Sequence, residues 1–235
     1  MSSDPPRPVR HLKSQPEQTP ERGSGRRHWT QRRGEARRTQ LVEAAVTLLK
    51  THDIDAWSLE RVASEAGIPL SSVYHFYPDK LALLMAVANY YGEDLAVTLR
   101  KPYRLASENT WRDLLERFLQ RAVSWYAATP GAGRLLIGGK TPPEVKLADR
   151  QHDLVLGSLL EEVFGRYFVL PQLAERTDIF FHAIEIADLF LQLSMIRFHQ
   201  ITPAMVRHGG IACAAYLGEF LPSFLPPAVP RGGSG

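Results

Sequence analysis

The sequence predicts an all-α chain of about nine helices, and three observations carry that prediction. Nowhere in the 235 residues do apolar and polar side chains alternate with the period of two that a half-buried strand requires. Apolar residues recur instead three and four positions apart, the repeat of one helix face. The breaks between these runs hold helix caps beside proline or glycine, as at Ser58, Gly67, Thr110, Thr141-Pro142 and Thr202-Pro203. With 44% apolar residues the chain can bury a sizeable core. No run of about 18 uninterrupted apolar residues occurs, and the arginine- and proline-bearing N-terminus lacks the apolar stretch of an export signal, so the expectation is a cytoplasmic protein without a membrane partner. The single cysteine, Cys213 in IACAAYL, reads as a small buried hydrophobe.

Charge is unevenly placed. Of 28 basic and 25 acidic residues, ten and four lie within residues 1–40, so the remaining 195 carry 18 against 21. A basic terminus favours a polyanion such as nucleic acid, or serves simply as a solubilising tail. Residues 1–36, rich in Pro, Arg, Ser, Gly and Gln with hardly an aliphatic side chain, bury too little to offset ordering and are expected to be a disordered arm.

From residue 37 the pattern changes. Leu41, Ala45, Leu48 and Leu49 share one helix face, giving a first helix. Ser58 caps a second, which carries Leu59, Val62, Ala63 and Ala66 inward. Gly67 supplies the left-handed turn that stops it, and Pro69 suits the first turn of a third. In that third helix Val73, Tyr77, Leu81 and Leu84 fall on the packed side. Ser72, Tyr74, His75 and Phe76 fall on the other. Two short helices meeting at a tight corner are a helix-turn-helix, whose second helix offers hydroxyls, imidazole and aromatic rings to base edges and phosphates in a major groove. The competing reading packs these aromatics on the second domain.

Ser58-Leu59-Glu60-Arg61-Val62-Ala63, Ala66-Gly67-Ile68, Ser72-Val73-Tyr74 and Tyr77-Pro78-Asp79-Lys80 together resemble the N-terminal signature of the tetracycline-repressor (TetR/AcrR) family of transcriptional regulators. The likeness covers residues 37–84. Ser71 stands where glycine is common and Tyr77 where phenylalanine is usual, departures that bear on base preference. The resemblance implies that the helix beginning near Pro69 is the recognition helix. Its DNA-contact candidates are Pro69, Ser71, Ser72, Tyr74, His75 and Phe76, with Lys80 at a phosphate and Ser58 near the backbone. Arg37 and Arg38, preceding the first helix, would track a phosphate strand or minor groove. Asp79 reads as a helix cap.

The larger remainder, residues 85–221, reads as an effector-binding and dimerisation domain, with residues 222–235 a flexible tail. Leu84, Ala88, Tyr91, Leu95 and Leu99 continue a connector helix. Thr110 and Asp113 form a capping box before Trp111, Leu114, Leu115, Phe118, Ala122, Trp125 and Tyr126, a face closed by Thr129-Pro130-Gly131. Thr141 opens a helix reaching about Phe168. The aromatic segments 111–126 and 159–168 either fill core or line a cavity for a small apolar effector, with Trp111, Phe118, Trp125, Tyr126, Phe164, His182 and Glu185 as candidates. His182, Glu185, Asp188 or Leu189, Gln192 and His199 form a polar stripe in an apolar helix, placed at a dimer seam, at a ligand or at solvent. His182 and Glu185 lack a third ligand at metal spacing, and no cofactor is implied. The family resemblance implies a homodimer through helices at about 174–200 and 203–221. It also implies a repressor of a palindromic double-stranded operator, released by a small molecule. A dimer without an effector is the alternative. An all-α enzyme is disfavoured because no phosphate loop, paired catalytic carboxylates or nucleophile elbow is present.

Overall fold

The first helix begins well before its apolar pattern does. In a computed structural model, which describes residues 24–106 and 109–228, α1 runs Ser24–Leu49. The expected disordered arm is thus corrected from Ser24 onward; residues 1–23 lie outside the described residues. Arg, Gln, Glu and Ala make up most of residues 31–38 and no proline follows Pro20 before Pro69, so intrinsic propensity extends the helix where burial cannot. The described residues divide into two compact units between Arg37 and Arg38.

Leu41, Ala45 and Leu49 of α1 are completely buried. A short 3-10 turn, Ile54–Ala56, leads to α2 (Leu59–Ala66), whose cap Ser58 accepts a hydrogen bond from the Arg61 N–H. Gly67 ends α2 at φ +63°, its N–H donating to the Ala63 and Ser64 carbonyls. Nothing lies within 4 Å of where a Cβ would stand, so the left-handed backbone, not space, makes glycine fit there. Helix α3 is Leu70–Phe76, with Pro69 as the residue before its first turn, and α4 is Lys80–Arg100. The Asp79 carboxylate caps α4 by accepting from the Ala82 N–H at 2.8 Å, as its position suggested.

Helix α5 (Trp111–Ala128) opens on the expected capping box, the Thr110 N–H and hydroxyl both donating to Asp113. The segment after it is a further short helix, α6 (Pro130–Leu135). Helix α7 is Pro143–Tyr167. Thr141 does not cap it: its hydroxyl donates to the Gly138 carbonyl. Helices α8 (Arg176–Phe198) and α9 (Pro203–Gly218) pack against each other, α8 also against α7, and α7 against α4. Ser194 and Thr202 hydrogen-bond at the α8–α9 corner, where Thr202 caps α9. At Gly209 a Cβ would stand 3.1 Å from Phe190, so this small residue serves the α8–α9 crossing within the chain. Among the described residues α8 alone is long and apolar enough to cross a bilayer; here it is a bundle helix between α7 and α9.

The expected loose tail is corrected over residues 222–228. Leu221 and Leu225 are buried, and the Trp111 indole donates to the Pro222 carbonyl at 2.9 Å. Val169 and Ala228 each donate a backbone N–H, to Pro226 and Tyr167, around an isolated Phe168–Pro227 bridge. Prolines 226 and 227 lack an N–H, so the segment pairs through its carbonyls and the few donors left.

Candidate nucleic-acid interface and ligand cavity

Two short helices, α2 and α3, hold the first candidate site, and their mutual angle is fixed by the Gly67 turn. The Gln40 side chain clamps that turn by donating to the Ala66 carbonyl at 2.8 Å. Val73 and Tyr77 face inward, the latter's hydroxyl raised above its ordinary pKa by burial. The opposite face of α3 presents Ser71, Tyr74 and His75 to solvent; Tyr74 is 47% exposed. Ser72 is half-buried.

Phe76 departs from the expected face. It is half-buried against the core, meets the His75 ring edge-on at 5.1 Å, and lies 5.8 Å from the Arg38 guanidinium. With seven residues, α3 is just under two turns, so its last residue swings back toward the packed side. Arg37 and Arg38 are exposed.

Lys80 is occupied differently from the expectation. Its ammonium donates to the Ile54 carbonyl and stands 5.9 Å from the Trp57 ring; burial lowers its pKa. It therefore braces the turn between α1 and α2 rather than standing free for a phosphate. Trp57, 2% exposed, has no local spacing signal in the sequence and is the residue this lysine needs.

The turn after α1 is also tied to the larger domain. Arg134 of α6 donates to the Leu49 and Lys50 carbonyls at 2.7 and 2.9 Å and lies 3.7 Å from Asp53. Lys140 pairs with Asp55 at 2.7 Å, and its hydrogen bond and charge hold the Asp55 carboxyl below its usual range. Cations at the last carbonyls of a helix are well placed against its dipole. Movement of α6 thus bears directly on the end of α1.

The second candidate is a small cleft of about 50 Å³ lined from α4, α5, α7, α8 and α9. Of the aromatics named from the sequence only Phe118 and Tyr126 line it. Trp111 and Phe164 are completely buried core, their rings 6.3 Å apart. The Trp125 indole turns to α4, donating to Asp94 at 2.6 Å. His182 is exposed and shares a hydrogen bond with the Tyr216 hydroxyl at 3.1 Å. His199 ends α8 in a left-handed conformation, φ 56°, and lines a neighbouring groove.

The polar stripe of α8 therefore splits. Its middle part, Glu185, Asp188 and Gln192, turns inward, where Asp149 and Asp153 of α7 meet it. Gln192 donates to Asp188. One Glu185 oxygen is buried without a partner. Burial, then Asp188 and Glu185, push the Asp149 carboxyl up to about 7, and burial raises Asp188 to about 6. Asp153 is raised by burial and by the carboxylates of Asp188, Asp149 and Glu185 around it. Sequence reading missed the α7 half, although Val145, Asp149, Asp153 and Leu156 stand four, four and three apart on one face. That spacing was the available signal.

With this geometry in view, the known relatives can be compared. The family description "Bacterial regulatory proteins, tetR family" matches residues 41–87, which span the end of α1, the Gly67 corner, α3 and the start of α4. Residues 41–87 thus resemble the DNA-binding region of TetR-family regulators. A curated relative, the HTH-type transcriptional repressor SCO4008 of Streptomyces coelicolor, is 25% identical over 174 residues, covering 74% of this chain and 83% of that protein. A TetR-family regulator of known structure from Streptomyces coelicolor aligns with TM-score 0.61 at 24% identity, over 79% of this chain and 99% of the other. Another, from Rhodococcus sp. RHA1, gives 0.60 at 18%, over 78% and 96%. These relatives are transcriptional regulators, not enzymes.

Proposed function

We propose that this TetR-family protein is a cytoplasmic repressor that binds a palindromic operator as a homodimer and leaves it when a small molecule occupies the cleft between α5, α7 and α8. The observation that carries the reading is the face of α3, where Ser71, Tyr74 and His75 stand exposed on a helix whose other side is locked into the core. Hydroxyl and imidazole groups hydrogen-bond to base edges, and a helix is the element a major groove admits. Arg37 and Arg38 are the cations for flanking phosphates.

Dimerisation is supported by an apolar stripe that the chain itself leaves uncovered: Leu189, Leu193 and Ile196 on α8 and Ile211 on α9, the last 68% exposed. Ala204 and Ala215 continue the exposed side of α9 and permit close helix approach. Two copies joined there place two α3 helices for half-sites about 34–36 Å apart. The repressing sign follows the Streptomyces coelicolor relative, an HTH-type transcriptional repressor. Release follows from differential affinity: a ligand that favours one arrangement of α6 alters, through Arg134, the end of α1.

Selection of bound duplexes from a random DNA library by the full-length protein, at about 150 mM salt to suppress phosphate-only binding, tests the reading. A recovered palindrome supports it. Enrichment of nothing above background counts against it.

A further inference from the structure

Two cations near α3 stand over aromatic rings, and the two contacts leave them differently equipped. Lys80, half-buried at the start of α4, lies 5.9 Å from the Trp57 ring centroid and spends an N–H on the Ile54 carbonyl. Arg38 is exposed, and its guanidinium carbon stands over Phe76, 5.8 Å from the ring centroid. A ring attracts a cation through its π face and consumes no hydrogen-bond donor. The contact therefore leaves the guanidinium its five N–H groups in their fixed fork, the geometry that matches a phosphate.

Phe76 is itself held in place. It is the last residue of α3, packs half-buried against the core, and meets the His75 ring edge-on at 5.1 Å, a favoured aromatic arrangement. The Arg38 charge also reaches the buried Tyr77 hydroxyl, on the residue that caps the C-terminal end of α3. A cation at that end is favoured by the helix dipole. The contact thus joins Arg38 of α1 to the end of α3, next to the exposed His75. A phenyl ring offers no hydrogen bond to DNA, and this one has part of its surface turned to the core, so what it contributes passes through the cation on it.

We propose that Phe76 is a positioning residue for DNA binding: its ring mounts the Arg38 guanidinium at the end of α3 as a clamp on a backbone phosphate, a role that Lys80, tied inward, does not fill. The inference rests on reading α3 as the recognition helix. Arg38 makes the contact, and Phe76 sets where it is made.

The test follows operator affinity of the full-length protein from about 50 to 200 mM salt, on the duplex recovered by library selection. Each phosphate contact contributes about 0.9 to the slope of log affinity against log salt, so a dimer that loses one clamp per subunit is expected to lose about two. Arg38→Ala and Phe76→Leu are each expected to show that loss, with affinity down about tenfold or more and evenly across base positions. The double variant is expected to match either single one within about twofold, because the ring acts through the cation. Phe76→Tyr keeps a ring and is expected to restore both slope and affinity. Loosened packing alone would lower the melting curve and leave the slope as it was. If Phe76→Leu fails to fold, Phe76→Met is measured in its place. A slope unaltered in Phe76→Leu but lowered in Arg38→Ala would overturn the mount, and a slope unaltered in Arg38→Ala would overturn the clamp. A Phe76→Leu loss confined to one symmetry-related pair of base positions would make the ring a base contact and overturn the proposal as well. If the unaltered protein enriches no operator, the recognition reading falls first and the proposal with it.

Discussion

The unit of α2 and α3 and the bundle of α5 to α9 handle polar groups in opposite ways. In the small unit the inward polar groups are paired apart from the buried Trp57 indole N–H: Gln40 holds Ala66, Lys80 holds Ile54, Ser58 and Asp79 cap helices. Its exposed hydroxyls and imidazole face out. In the bundle an unpaired group faces in, the Glu185 oxygen beside Asp149, Asp153 and Asp188. An outward set suits a large polar partner that docks on a rigid face. An inward set suits a small one that must enter. The difference teaches that one chain can handle polar groups in opposite ways in two regions, joined here by Arg134 at the end of α1.

Breaking the link between two copies is expected to have the largest effect. Leu193→Arg with Ile211→Arg places charges on the uncovered stripe; sedimentation is expected to show a monomer, and operator affinity to fall about a hundredfold or more as the second half-site is lost. An unchanged dimer would move the interface elsewhere.

Next comes the outward face. Tyr74→Ala and His75→Ala are each expected to weaken operator binding about five- to hundredfold, a loss of about 1–3 kcal/mol per base contact, with unaltered melting. Lys80→Ala sharpens the contrast because it is inward: melting is expected to drop by about 1–2 kcal/mol of stability, from the lost carbonyl bond and ring contact. If it instead steepens the loss of DNA binding without touching stability, the bracing role assigned to Lys80 is wrong.

The inward set predicts a smaller effect of definite sign. Asp149 and Asp188 have folded-state pKa values of about 7 and about 6, raised above the unfolded carboxylate range, and Asp153 is raised as well. The folded state holds more protons, so this contribution is fully present at pH below about 4 and is lost as pH climbs through about 6 to 7 and above. Thermal melting is expected to be higher at about pH 5.5 than at about pH 8, and Asp153→Asn to flatten that slope. An equal slope in the variant would disconnect the cluster from the effect. Lys146, Arg150 and Tyr126 are the other titratable or charged groups acting on it.

The same contrast explains what was legible in the sequence. The small unit is specified locally: Ser58, Gly67, Pro69 and Asp79 are each read within a few residues, so its elements and its outward face could be named, with Phe76 misplaced because a helix of under two turns holds its periodicity poorly. Lys80 was misread because its partners, Ile54 and Trp57, are some 25 positions away. The bundle is specified by distant encounters. Trp111 was a reasonable pocket candidate until its partner proved to be Pro222, and Glu185 gained its meaning only when α7 brought Asp149 and Asp153 to it. The early start of α1 and the pinned segment 222–228 fall in the same class: weak local patterns overruled by propensity in one case and by packing in the other.

The central claim, that the exposed side of α3 reads DNA bases, is tested most directly by repeating the library selection with His75→Ala. The account expects the palindrome to persist with preference lost at one symmetry-related pair of positions. Recovery of the same palindrome, with every position as strongly specified as before, would contradict it.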